Sequence, residues 1–258
     1  MKYHFRPDEL KQGVGSGESG LQFLSCQRIE LDEEHPVTIV ETGPEEVVLA
    51  CISGQFDYDC GETVGTASFK DVLYVPWRSR VSVRAGRTSD VLIRAVLMRI
   101  GAPSDRNTGF AHLRFSDVAL DPARHRVYGK AEDNSLRDVY MIIDDTFNAA
   151  RLLVGIGQGS TGGWTVWPPH EHGDEKEELY VYFDMVGGFG IQCVYETLDE
   201  ARCFLVREGD MVAVPRGFHP NVGCPAGRIS YAYAMAARVA GEREFLALRF
   251  QEEFGDRF

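Results

Sequence analysis

In the segment Pro168-Pro169-His170-Glu171-His172, two histidines stand two positions apart. On an extended strand such residues project from the same face, so both imidazoles can reach one ion. Glu178 follows six residues after His172. It heads the run Leu179-Tyr180-Val181-Tyr182-Phe183, beyond a polar loop (Gly173 to Glu177) of a size that turns a chain back on itself. A third imidazole, His219, lies in Pro215-Arg216-Gly217-Phe218-His219-Pro220, where Gly217 permits a tight turn. Three neutral imidazoles and one carboxylate make a ligand set for one divalent cation: zinc first, with manganese, iron or nickel as alternatives. Such a set leaves coordination positions open for a substrate. Taken singly, each histidine reads as an ordinary satisfied polar group; it is the order His-x-His, Glu, Pro-x-Gly-x-His that points to a shared ion. Glu175 and Glu177 crowd the same loop, and Glu178 is preferred because it shares a strand face with Tyr180 and Tyr182 and so points inward.

The elements that must position these groups read as short β-branched or aromatic runs punctuated by Gly, Pro, Asp or Asn: Val47 to Ile52, Val72 to Val75, Val91 to Arg99, Tyr180 to Phe183 and Met211 to Val214. No stretch carries a long helical period, and helix is expected only in short pieces, one near Leu198 to Arg202. Strands punctuated by turns over this length predict an all-β protein of mostly antiparallel sheets, as sandwiches or barrels. Asp71-Val72-Leu73-Tyr74-Val75-Pro76 and Asp210-Met211-Val212-Ala213-Val214-Pro215 repeat one pattern, an acidic turn, a buried strand and a proline; four residues past the proline stands Arg80 in one and His219 in the other. The repeat predicts two tandem β-domains: residues 1–125 without a metal site, because no His-x-His precedes Arg80, and residues 126–258 with one.

The chain carries 27 Lys and Arg against 39 Asp and Glu, a net charge of −12, with no basic run; nucleic acid and anionic membranes are therefore poor partners. No segment has the length of apolar sequence that a membrane span needs, and Met1 to Gly13 lacks a signal-peptide core. A cytoplasmic location is expected. The six cysteines (Cys26, Cys51, Cys60, Cys193, Cys203, Cys224) form no CxxC pair and read as reduced thiols.

The His-x-His, Glu and Pro-x-Gly-x-His blocks, in that order, are those of the cupin signature. With Gly163-Trp164 before Pro168, Ala150-Arg151-Leu152-Leu153-Val154-Gly155, and Leu73-Tyr74-Val75-Pro76 in the first half, the sequence resembles the 5-deoxy-glucuronate isomerases of myo-inositol breakdown. More distantly it resembles the 5-keto-4-deoxyuronate isomerases of pectin breakdown, to which the strand Glu178 to Met185 reads closer. Both are bicupins, built from two jelly-roll (double-stranded β-helix) domains. The resemblance implies that His170, His172, Glu178 and His219 ligate the metal and that the reaction interconverts an aldehyde sugar acid with its ketose. The first would convert 5-deoxy-glucuronate to 5-dehydro-2-deoxy-gluconate.

Such a reaction needs a group to carry a proton between adjacent carbons, and Glu178, Lys176, Tyr180, Tyr182 and Tyr233 are all candidates. A sugar carboxylate needs a local cation: Arg216 beside His219, or Arg151. Gln192, on the run Gly190 to Val194, is a candidate to hydrogen-bond substrate from the barrel lumen. The same ligand set also supports other metal enzymes such as dioxygenases, or a sugar-binding module without turnover. Exposed sheet edges suggest a homo-oligomer.

Overall fold

Apolar runs with β-branched residues leave their backbone N–H and C=O groups to be satisfied across strands, and here they pair almost wholly antiparallel. The protein is seen in a computed structural model that describes residues 1–15, 17–88, 91–106 and 108–255. In the first half the strands are β1 (His4–Phe5), β2 (Ser25–Leu31), β3 (Val37–Glu41), β4 (Glu45–Asp59), β5 (Val64–Ser68), β6 (Val72–Val75), β7 (Arg80–Thr88), β8 (Val91–Ile93), β9 (Ala95–Pro103) and β10 (Ala111–Leu113). The second half adds β11 (His125–Tyr128), β12 (Arg137–Ile143), β13 (Leu152–Thr161), β14 (His170–Glu171), β15 (Lys176–Tyr182), β16 (Gly190–Val194), β17 (Arg202–Val206), β18 (Met211–Val214), β19 (Asn221–Gly223), β20 (Arg228–Ala237) and β21 (Arg249–Phe250). Among the described residues, helix is confined to α1 (Pro7–Leu10), α2 (Phe115–Leu120) and single 3₁₀ turns, one of them at Leu198–Glu200. Among the described residues, no helix is long and apolar enough to cross a membrane.

The run from Val91 to Arg99, expected as one strand, is two. β8 pairs with β7, whereas β9 pairs with β2 and β4, so the chain changes partners at Arg94. Three apolar cores result. One fills the first half around Leu49, Phe56, Val83 and Leu97, and another fills the second around Tyr180, Val212, Tyr231 and Met235. The third lies between the halves and takes Val48, Tyr74 and Ile100 from one side and Leu179, Val181 and Ala234 from the other. Period-2 alternation explains the sharing: along β15, Glu178, Tyr180 and Tyr182 face the second core, while Leu179 and Val181 face the first half.

The two halves repeat one pairing scheme. β4 meets β6 with Val47 opposite Val75, and β15 meets β18 with Glu178 opposite Val214. The leading strands are exchanged: β1 joins the second sheet through β18, and β10 joins the first through β6. A histidine on each meets the aspartate that opens its partner strand, His4 on Asp210 at 2.9 Å and His112 on Asp71 at 3.1 Å. β1, near the start of the chain, thus completes the sheet of the second half. All six cysteines are free thiols, but Cys193 and Cys203 lie opposite each other on β16 and β17 with their sulfurs 2.9 Å apart.

Candidate metal centre

β14 is a two-residue strand on β21, and it presents His170 and, just beyond its end, His172 to the mouth of the second barrel. The polar loop after it returns the chain into β15, whose inward face opens with Glu178. His219 arrives from the turn after β18, where Gly217 adopts φ +91°, a conformation that side-chain-bearing residues rarely take. The ligand nitrogens of the three histidines lie within 4.8 Å of one another. The Glu178 carboxylate stands 3.1 Å from Nε2 of both His172 and His219. All four side chains are buried.

The protons decide what this cluster wants. His219 Nδ1 is 2.8 Å from the Gly217 carbonyl, which can only accept, so Nδ1 carries the hydrogen and Nε2 presents a lone pair. That lone pair faces a carboxylate oxygen at 3.1 Å yet has no hydrogen-bond partner among the described residues, since neither atom has a proton to give. Nδ1 of His170 approaches the Pro168 carbonyl at 3.4 Å, which turns its Nε2 to the cluster in the same way, whereas His172 lies 3.4 Å from the Ala247 carbonyl through Nδ1 and hydrogen-bonds the Glu178 carboxylate through Nε2 at 3.1 Å. Converging lone pairs around an anion are repulsive until a cation sits among them; backbone carbonyls that fix the imidazole tautomer are the usual support for a metal ligand. Burial and the neighbouring imidazoles hold His170 well below its ordinary pKa, in the neutral form that ligation requires. For Glu178, burial alone would raise the pKa, but the hydrogen bond from His172 outweighs it and keeps the carboxyl ionised. The three-histidine cluster is thus able to hold a metal ion.

A cavity opens from His170, His172 and Glu178. Tyr128, Tyr180, Tyr231, Tyr233, Thr165 and Arg137 supply its polar wall. Room for the tyrosines comes from β13. A Cβ at Gly155 would collide with the Tyr233 hydroxyl and with the Tyr140 backbone carbonyl, and one at Gly157 with the Tyr231 ring. Because a backbone oxygen cannot rotate away, Gly155→Ala is expected to destabilise by about 1–3 kcal/mol and to displace Tyr233. A thermal melt within about 1 °C of the parent would contradict this.

Several residues expected at the site are elsewhere. Lys176 shares the inward parity of Glu178, but its ammonium is capped by the carbonyls of Glu244 (2.8 Å) and Ala247 (2.7 Å) and does not line the cavity. It ties down the loop whose Ala247 carbonyl also receives His172. Tyr182 donates to Gln192, and Gln192 in turn donates to the His219 carbonyl at 2.6 Å and accepts from Asn221, so both brace the His219 turn from behind. Arg216 is 56% exposed and turns outward to Asp174 and Glu196, because Gly217 reverses the chain between it and His219. Arg151 spends its guanidinium on the carbonyls of Pro103, Ala237 and Arg238. Glu178, Tyr180 and Tyr233 do face the cavity, and burial raises both tyrosine hydroxyls well above their usual pKa. Among the described residues, the buried Tyr233 hydroxyl finds no hydrogen-bond partner. Sequence reasoning missed Arg137, Tyr128, Thr165 and Tyr231. The aromatic alternation of Tyr231 and Tyr233 on one strand was the available signal for the last of these; Arg137 gave none.

Comparison with known proteins agrees with this geometry. The chain is 32% identical to a 5-deoxy-glucuronate isomerase of Shouchella clausii over 244 residues, 86% of each protein. It is 25% identical to a 4-deoxy-L-threo-5-hexosulose-uronate ketol-isomerase of Rhizobium meliloti over 206 residues, covering 77% of this chain and 70% of the other. An IolB-like protein from Salmonella typhimurium superposes with a TM-score of 0.82 at 19% identity, covering 99% of this chain and 98% of that one, a likeness of fold. The KduI/IolB family model matches residues 3–254, and the chain belongs to that family.

Proposed function

We propose that the chain is a metal-dependent aldose–ketose isomerase of sugar acids that converts 5-deoxy-glucuronate to 5-dehydro-2-deoxy-gluconate in inositol breakdown. Residues 126–258 form the catalytic unit and residues 1–125 support it. His170, His172, His219 and Glu178 hold the ion, zinc in the first instance. The observation that carries this reading is the convergence of three buried imidazoles and a carboxylate at a tyrosine-walled cavity. The isomerase names of relatives spanning most of the chain support it. The enzyme would work in the cytoplasm as a homo-oligomer, without nucleic-acid or membrane partners.

A bound cation supplies Lewis-acid polarisation of the substrate carbonyl and its neighbouring hydroxyl. The chain's own groups do the rest. Tyr180 and Tyr233, kept protonated by burial, donate hydrogen bonds to substrate oxygens. Glu178 and the Tyr180 and Tyr233 hydroxyls are the proton-handling groups that remain once Lys176 and Tyr182 are removed from consideration. Val139, Val166, Met235, Phe245 and Leu248 exclude water, which protects the transferred proton from exchange.

The relative from Rhizobium meliloti favours a second substrate, 4-deoxy-L-threo-5-hexosulose-uronate, handled by the same chemistry. One experiment separates the readings: elemental analysis of the purified protein, with proton NMR in deuterated buffer on both sugar acids. The expected result is one bound divalent ion per chain and conversion of 5-deoxy-glucuronate, with label entering beside the new carbonyl only in part. Tight uronate binding without conversion would overturn the enzyme reading in favour of a binding module. Oxygen uptake by iron-loaded protein without isomerisation would replace it with an oxygenase.

A further inference from the structure

In 5-deoxy-glucuronate the aldehyde and the carboxylate stand at opposite ends of the carbon chain. If the aldehyde end meets the histidine cluster, the acid end must find a cation deeper in the same cavity. Among the described residues that line it, Arg137 is the side chain with a permanent positive charge. It is 4% exposed, which is rare for a guanidinium. The other arginines near the site point elsewhere. Arg216 faces solvent acids, Arg249 pairs with Glu171, and Arg151 and Arg243 bind backbone carbonyls.

Strand register puts Arg137 at the far end of the lumen. Glu178 is level with Met235, and Met235 with Leu153 of β13; Arg137 on β12 is level with Gly159. From 153 to 159 is six positions along β13, with the Tyr233 and Tyr231 levels between. A long side chain based there and lining the same cavity as His170 and His172 must reach back along the axis. Its guanidinium is steered by a 3.1 Å hydrogen bond from one Nη to the Ser135 carbonyl and by the Tyr128 ring, 5.7 Å from the guanidinium carbon. A planar fork oriented in this way matches a carboxylate in bidentate fashion, which an ammonium cannot do.

We propose that Arg137 is the carboxylate-binding residue of the substrate site and makes the cavity selective for sugar acids over neutral aldoses. This rests on the isomerase reading for its substrate, and the test separates the two. Zinc-loaded wild type, Arg137→Lys and Arg137→Met are assayed by NMR on 5-deoxy-glucuronate and on its carboxamide. The wild type should prefer the acid by about 100-fold in kcat/KM. Arg137→Met should lose about 100-fold on the acid and stay within about threefold on the carboxamide, with Arg137→Lys between. Equal loss on both substrates would mean that Arg137 only supports the fold and would overturn the assignment. Calorimetric binding of the aldehyde-reduced acid, which cannot isomerise, repeats the comparison without chemistry. Affinity lost in Arg137→Met while NMR shows no turnover in any variant upholds the arginine subsite and rejects the isomerase reading. Unchanged affinity rejects the subsite.

Discussion

His219→Gln is expected to lower kcat/KM by about 10³-fold or more and to reduce bound metal below about one-tenth of an equivalent, because it removes an imidazole from the centre of the cluster. The same substitution should act in the opposite sense on the metal-free protein. There the wild type places the His219 lone pair against the Glu178 carboxylate with no proton between them. A glutamine amide brings two hydrogens to the same place and can donate one to Glu178, a gain of about 1 kcal/mol. Chemical denaturation in EDTA should therefore find the variant at least as stable as the parent. Adding zinc at about 100 times its dissociation constant should stabilise the parent alone, by about 2.7 kcal/mol. If the variant binds zinc as well as the parent, or if apo wild type is clearly the more stable protein, the cluster is a buried polar network and not a metal site.

That centre is legible in the sequence because each of its parts has a local signature. His170 and His172 share a strand face by spacing alone, Gly217 marks the turn that delivers His219, and the alternation from Glu178 through Tyr182 fixes which side chains look inward. Parity, however, says only which face a residue takes, not what covers it. Lys176 has the same parity as Glu178 and is sealed off by the carbonyls of Glu244 and Ala247, 68 and 71 positions away in sequence. Arg216 misleads because nearness along the chain ignores the left-handed residue that follows it. Arg137 stays hidden for a third reason: its place in the lumen depends on the registers of β12 on β13 and of β13 on β20, long-range pairings with no local trace. Glu177 reads from sequence only as a rival to Glu178, and its actual role emerges when the matching strand pairings of the two halves are set side by side.

That role yields the largest expected loss of stability. Glu177 points away from the metal cluster, and its carboxylate accepts the backbone N–H groups of Gln22, Phe23 and Leu24 at 2.6–2.7 Å. Glu46 does the same in the other direction, accepting from Ala150, Arg151 and Leu152 at 2.6–2.9 Å. The two are one position used twice. Each directly precedes the residue, Val47 or Glu178, that pairs with the end of the repeated strand, Val75 or Val214. Both carboxylates are buried, so each has a desolvation cost of several kcal/mol that the short charge-assisted bonds offset, Glu46 taking a fourth from the Tyr74 hydroxyl at 2.8 Å. Glu46→Ala or Glu177→Ala leaves three amide donors in the joint between the halves without their acceptor and is expected to cost about 3–5 kcal/mol. The Gln variants, which keep one acceptor oxygen, should lose roughly half of that. The two sites differ in their bearing on catalysis. Glu177 adjoins Glu178, so its loss should also lower metal affinity, whereas Glu46→Ala should leave kcat unchanged at temperatures where the variant is folded. A denaturation midpoint for Glu46→Ala within about 0.5 kcal/mol of the parent would show that water takes over these amides and that the joint is held by its apolar core alone.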